Sequence, residues 1–136
     1  MINKLKFVFL VTFSAFSLGV DLEDLRIDPS YSIELFASDI DSPRQMTQGD
    51  DGRLYIGSRR SGKIFALRDT DDNGVADSKE LVAEDLVFGT GVSFYDGDLY
   101  FSEVNRIWKI ENIATQLNNN LSKLPTKILV TDNLPK

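Results

Sequence analysis

Asp51-Gly52-Arg53-Leu54-Tyr55-Ile56-Gly57-Ser58 returns 45 residues later as Asp96-Gly97-Asp98-Leu99-Tyr100-Phe101-Ser102-Glu103. The likeness extends outward on both sides. Upstream, Gln45-Met46-Thr47-Gln48 matches the position of Val92-Ser93-Phe94, and downstream Lys63-Ile64-Phe65-Ala66-Leu67 matches Arg106-Ile107-Trp108-Lys109-Ile110. A repeat of this length is the size of a four-stranded propeller blade. Within it apolar and polar residues alternate, as a half-buried strand requires. The expected class is therefore all-β: the first two blades of an incomplete β-propeller, each a four-stranded antiparallel meander. A free-standing sandwich is the alternative.

The pattern resolves into strands and turns. Blade 1 occupies 41–87, with strands at about 44–50, 54–58, 63–67 and 80–84. Asp51-Gly52 and Ser61-Gly62 supply turns where glycine accepts positive φ. Blade 2 occupies 88–136, with strands at 91–95, 98–102, 106–110 and 126–131. Its last connection is longer and reads as a short helix over 113–117 followed by the polar Asn118-Asn119-Asn120. Ahead of both, 31–40 reads as an extra strand, since Ile33 and Leu35 alternate with Glu34 over Tyr31–Ala37. Such a strand could close a ring by joining the last blade. Propellers close with about four to eight blades, so two blades need the remaining blades as partners.

The first 19 residues read as a signal peptide. Lys4 and Lys6 precede an apolar stretch beginning at Phe7, which loosens into Ser14, Ala15, Ser17 and Gly19. The stretch is shorter than the ~20 residues that span a bilayer, so no stable anchor is expected after cleavage, and a membrane anchor is the alternative. Residues 20–30 form a linker. Cleavage after Gly19 leaves 13 basic and 21 acidic residues, a net charge of −8 against −6 for the whole chain. That balance argues against nucleic acid as a partner. There is no cysteine and no histidine, so neither thiol chemistry nor a histidine base is available from these residues. An acidic, cysteine-free, exported chain is expected in a periplasm or outside the cell.

One block carries a family likeness: Pro43-Arg44-Gln45-Met46, then Gly49 through Arg59, Gly62-Lys63-Ile64, Arg68-Asp69-Thr70-Asp71, Gly91-Val92 with Asp96-Gly97-Asp98-Leu99-Tyr100, and Glu103-Val104-Asn105-Arg106-Ile107. It resembles the start of sorbosone dehydrogenase-like proteins, relatives of the soluble quinoprotein glucose dehydrogenases, over about residues 29–135. The resemblance implies a six-bladed propeller that binds pyrroloquinoline quinone and calcium and oxidises an aldose or similar sugar. It also implies a histidine base in a block that follows a segment like Asp132-Asn133-Leu134-Pro135, hence beyond Lys136. On that reading the chain is an N-terminal piece, inactive alone. Thr90 stands where the family often has asparagine, a departure from its pattern.

Asp69-Thr70-Asp71-Asp72-Asn73-Gly74-Val75-Ala76-Asp77-Ser78-Lys79-Glu80 has the spacing of a calcium-binding loop. Alternate oxygens at Asp69, Asp71 and Asn73 would converge on one hard cation. Gly74 permits the sharp turn, Asp77 adds a direct or water-mediated ligand, and Glu80 closes the shell. The flanks read as strands, so the expectation is an isolated loop between the third and fourth strands. A solvated acidic turn is the alternative.

In a meander that loop lies at the end opposite the turns after the second and fourth strands. The far end therefore holds the candidate quinone contacts, Arg44, Gln45, Arg59, Asn105 and Arg106, with Arg60 beside them. Guanidinium groups grip carboxylates through paired hydrogen bonds, although each could equally be a solvated turn residue or a partner of Asp39, Asp41 or Glu103. Calcium in the acidic loop would then be a structural ion. A non-catalytic secreted propeller with a calcium-stapled loop is the second functional reading, and a blade pair that completes its ring by oligomerising is the third.

Overall fold

The structure, a computed structural model, describes residues 22–89, 91–119 and 122–135. The expected signal segment over 1–19 and Thr90 lie outside the described residues. The chain divides into two compact units, Met1–Ile33 and Glu34–Lys136. In the first, Leu22–Asp24 form a single 3-10 turn. Asp28 then bends the backbone by accepting from the Ser30 amide through Oδ1 (2.9 Å) and from the Tyr31 amide through its carbonyl (3.0 Å).

The second unit is built of two four-stranded antiparallel sheets. Sheet 1 comprises β1 (Pro43–Gln48), β2 (Leu54–Ser58), β3 (Lys63–Arg68) and β4 (Ser78–Ala83), hydrogen-bonded in that order. Sheet 2 comprises β5 (Gly91–Tyr95), β6 (Asp98–Ser102), β7 (Ile107–Ile110) and β8 (Ile128–Thr131), again in chain order. One helix, α1 (Ile113–Asn119), sits in the β7–β8 connection and buries Ile113 and Leu117.

The repeat in the sequence is a repeat of register. Tyr55 pairs with Thr47 and Ala66, and Tyr100 with Ser93 and Lys109. The ladder between third and fourth strands slips at equivalent places, after Ile64 in sheet 1 and after Ile107 in sheet 2. The first hairpins differ. Asp96 and Gly97 both have positive φ (49° and 81°) and turn the chain in two residues, the geometry that matches strand twist. In sheet 1 the Gly49 amide bonds the Arg53 carbonyl at 2.8 Å, and the three residues between them turn with Gly52 at φ 81°.

Side-chain alternation decides how the sheets meet. Tyr55, Ile64, Ala66 and Val82 on one face of sheet 1 share a core with Val92, Leu99, Phe101 and Ile110 of sheet 2, closed by Ile113 and Leu117. The sheets touch mainly through their first strands, β1 against β5. The Phe94 amide donates to Thr47 Oγ1 at 3.3 Å, and the Phe94 ring stacks on Tyr55.

Two expectations need correction here. No strand forms over 31–40: alternation is necessary for a strand but a ladder partner is also needed, and Asp39 and Ser42 take positive φ (58° and 50°). Residues 36–42 instead strap the reverse face of sheet 1. The Phe36 carbonyl accepts from Ala76 N (2.8 Å), the Asp39 carbonyl from Lys79 Nζ (3.0 Å), the Asp41 carbonyl from Ser58 Oγ, and the Ser42 carbonyl from Arg59 N (3.2 Å). The last strand is also shorter than expected, beginning at Ile128 rather than near 126.

Candidate functional site

Because β3 runs from Lys63 to Arg68, the β2–β3 turn and the β3–β4 loop lie at opposite ends of sheet 1. The loop end is acidic. Asp69, Asp71 and Asp77 bring carboxylate oxygens within 4.8 Å of one another. Asp69 organises the turn: Oδ2 accepts from Gly74 N at 2.8 Å, and Oδ1 from the amides of Asp71 and Asn73, both at 3.3 Å. Desolvation pushes the Asp69 carboxyl up, but these three amides outweigh it and hold the group below the ordinary carboxylate range. The Thr70 hydroxyl and amide, each 2.6 Å from Asp77 Oδ2, lower Asp77 likewise. Gly74 stands at φ 84°, the conformation the sharp turn requires.

Two predicted ligands sit differently. Asn73 Oδ1 accepts from Val75 N at 2.8 Å, and its Nδ2 donates to Asp71 at 3.1 Å. Glu80 does not join the trio. It lies in β4 paired with Ala66, and its carboxylate is drawn to Arg53, with Oε2 3.6 Å from Nε. Strand pairing past Ser78 carries Glu80 away from the loop, which an unpaired calcium loop would have wrapped around the ion.

The other end carries Arg44, Arg59, Arg60 and Arg106 among the carboxylates of Asp41, Glu84, Asp85 and Glu103, with Val87 and Phe88 exposed beside them. Arg44 is exposed and falls at the register irregularity between Pro43 and Gln45, while Gln45 is one wall of a cavity of about 220 Å³ over sheet 2. Arg59 lies with its guanidinium 5.7 Å from the centroid of exposed Phe88. Phe88 has φ 52°, an uncommon conformation for a bulky residue. The Asn105 carbonyl accepts from Leu134 N at 3.4 Å, and half-exposed Arg106 lies 3.4 Å from Glu103 Oε2. The meander puts Arg44, Arg59 and Arg106 at the same end of their sheets.

Two buried groups knit that end together: Gly62, expected only as a turn glycine, and Glu103, expected only as a possible partner of an arginine. The Gly62 carbonyl accepts from Leu86 N at 3.0 Å, and a Cβ on Gly62 would stand 2.3 Å from the Leu86 carbonyl oxygen. Only glycine fits there. Glu103, 8% exposed, accepts from Val87 N (2.9 Å) and Trp108 Nε1 (3.1 Å) as well as from Arg106. Desolvation raises its carboxyl, and those three donors together bring it below its ordinary value.

Arg53 is the buried cation that local sequence hides. It is 4% exposed, ion-paired with Asp51 and Glu80, and donates through Nη2 to Asn118 of α1 at 2.8 Å. Tyr55 lies beside this group, its hydroxyl pushed up first by burial and then by the Asp51 charge.

A family described as "Domain of unknown function (DUF7133)" matches residues 18–116. The chain belongs to this family. The DUF7133 match takes in β1 through β7 and the start of α1, so the acidic loop and both basic turns fall inside it. An uncharacterized protein of Borreliella burgdorferi is 25% identical over 115 residues, which cover 84% of this chain and 28% of that relative. The chain therefore spans less than a third of the length of that relative. No solved structure matches.

Proposed function

We propose that the chain forms the first two blades of a β-propeller quinoprotein of the sorbosone and glucose dehydrogenase type, exported to the periplasm or beyond. The observation that carries this reading is the repeated meander. Two consecutive four-stranded sheets share ladder register and slip position, and they pack through their first strands. Blades related in that way require further blades to surround an axis, and the relative's greater length is in keeping with them. The resemblance over about 29–135 supplies the chemistry, since fold alone does not.

Pyrroloquinoline quinone is a planar polycarboxylate that takes up a hydride equivalent from a sugar when bound. The exposed arginines of the end opposite the acidic loop suit its carboxylates in part. Arg59 is exposed with an aromatic ring beneath it, Arg44 is exposed, and Arg106 keeps its outward donors while Glu103 holds one. Gln45 and Asn105 would add amide groups at the same end. Calcium is proposed at the opposite end as a structural ion on Asp69, Asp71 and Asp77, where hard oxygen ligands converge.

The test is electron transfer. The product of the whole reading frame, loaded with the quinone and calcium, should reduce an artificial acceptor when given an aldose, whereas residues 20–136 alone should not. Full-length protein with bound quinone that stays inert toward a panel of aldoses and related sugars would rule the reading out.

A further inference from the structure

Asn73-Gly74 is the chain's one Asn-Gly dipeptide, and both residues are exposed in the acidic loop. An asparagine followed by glycine is prone to attack by the backbone on its own side chain, because nothing shields the nitrogen that follows. In that reaction the Gly74 nitrogen bonds to Asn73 Cγ, and its proton departs with the side-chain amide as ammonia. Water then opens the cyclic imide at either carbonyl, giving aspartate or its β-linked isomer. The folded loop engages the atoms of this step. The Gly74 N–H donates to Asp69 Oδ2 at 2.8 Å, and the leaving amide donates through Nδ2 to Asp71 Oδ2 at 3.1 Å. The Asn73 side-chain carbonyl accepts from Val75 N at 2.8 Å. Val75 thereby polarises the carboxamide toward attack. Asp69 opposes it, since the attacking nitrogen has to shed its proton and a neighbouring carboxylate repels the charge left behind. Asp69 is itself fixed by the amides of Asp71 and Asn73, both at 3.3 Å, so its hold on Gly74 is built into the turn.

We infer that Asn73-Gly74 is a spontaneous deamidation site that Asp69 keeps latent in the folded loop. The reaction proceeds from the locally opened state, in which the Gly74 amide has left Asp69. Its consequence is local and directional. The aspartyl product removes the Nδ2 donor that Asp71 accepts and sets a further carboxylate beside Asp69 and Asp71. The β-linked product lengthens the main chain by one methylene immediately before Gly74, where φ is 84°, and so disturbs the turn itself. Both products add a negative charge to the loop. The inference stands on the hydrogen bonds of the loop and requires neither a quinone nor a bound ion.

Peptide mass spectrometry of residues 69–80, taken from the whole chain incubated at neutral pH with a chelator, reads the conversion directly. In native buffer the wild-type chain is expected to deamidate at Asn73 about tenfold more slowly, or slower still, than the same chain in guanidinium chloride. Asp69→Ala, with its fold checked by far-ultraviolet dichroism, should convert at close to the unfolded rate. Asp71→Ala leaves the Gly74 amide on Asp69 and should stay much nearer to wild type. A wild-type chain that deamidates equally fast folded and unfolded overturns the inference, and that comparison needs no variant to fold. A folded Asp69→Ala chain as slow as wild type overturns it too, as does an Asp71→Ala chain that accelerates as much as Asp69→Ala.

Discussion

Phe94 stacks on Tyr55 with ring centroids 6.2 Å apart and planes only 4° from parallel. One ring comes from β5 and the other from β2, so this pair is where sheet 1 recognises sheet 2. Aromatic pairs in such geometry contribute beyond the area they bury. Phe94→Ala should therefore destabilise the chain by roughly 3 kcal/mol, and Phe94→Leu by clearly less, measured by urea unfolding. Equal stability in Phe94→Ala would mean that the sheets do not depend on this contact.

Arg53 is a second tie, between sheet 1 and α1. Removing one partner of a buried ion pair strands the other charge, at a cost of about 3–5 kcal/mol. Arg53→Ala is expected in that range because it leaves Glu80 facing the core without its cation. The double variant Arg53→Met with Glu80→Leu should recover much of the loss. Unfolding curves that rank the double variant below Arg53→Ala would contradict the pairing.

Glu103 makes stability pH-dependent in a defined direction. Its carboxyl is held below the ordinary 4.5 in the folded chain, so the unfolded chain binds its proton more readily. The contribution is complete above that ordinary value and is lost as pH falls through the lowered one. Glu103→Gln should unfold at a lower temperature than wild type at pH 6, and the gap should narrow at pH 3. A gap that widens on acidification would reverse the assignment.

The strands were legible because period-2 alternation and a 45-residue repeat reinforce each other, and the two turns with Gly52 and Gly97 punctuate both copies. Tyr31–Ala37 shows the limit of that signal. Its alternation is real, but without a ladder partner no strand forms there, and only from Phe36 onward is the chain held, by the scattered carbonyls of Phe36, Asp39, Asp41 and Ser42. Arg53 was opaque for a different reason. Its repeat equivalent is Asp98, and its partner Asn118 lies 65 residues away on a helix specific to the second repeat. Glu80 matched a calcium motif by spacing alone, and strand pairing with Ala66 then assigned it elsewhere.

Calcium should stabilise the chain through Asp69, Asp71 and Asp77. At ten times its dissociation constant an ion adds about 1.4 kcal/mol, enough for a rise of several degrees in the unfolding midpoint. Asp69→Asn should abolish that rise, because Asp69 both offers a ligand and orients the Gly74 amide. Glu80→Gln should leave the rise intact. Magnesium serves as the control for nonspecific charge neutralisation.

The most direct measurement is a structure of the whole gene product prepared with pyrroloquinoline quinone. The account predicts four-stranded sheets continuing from the outer face of sheet 2 around a common axis. The quinone carboxylates would lie at the end that carries Arg59 and Arg106. A two-sheet domain standing alone, or a quinone bound away from that end, would contradict it.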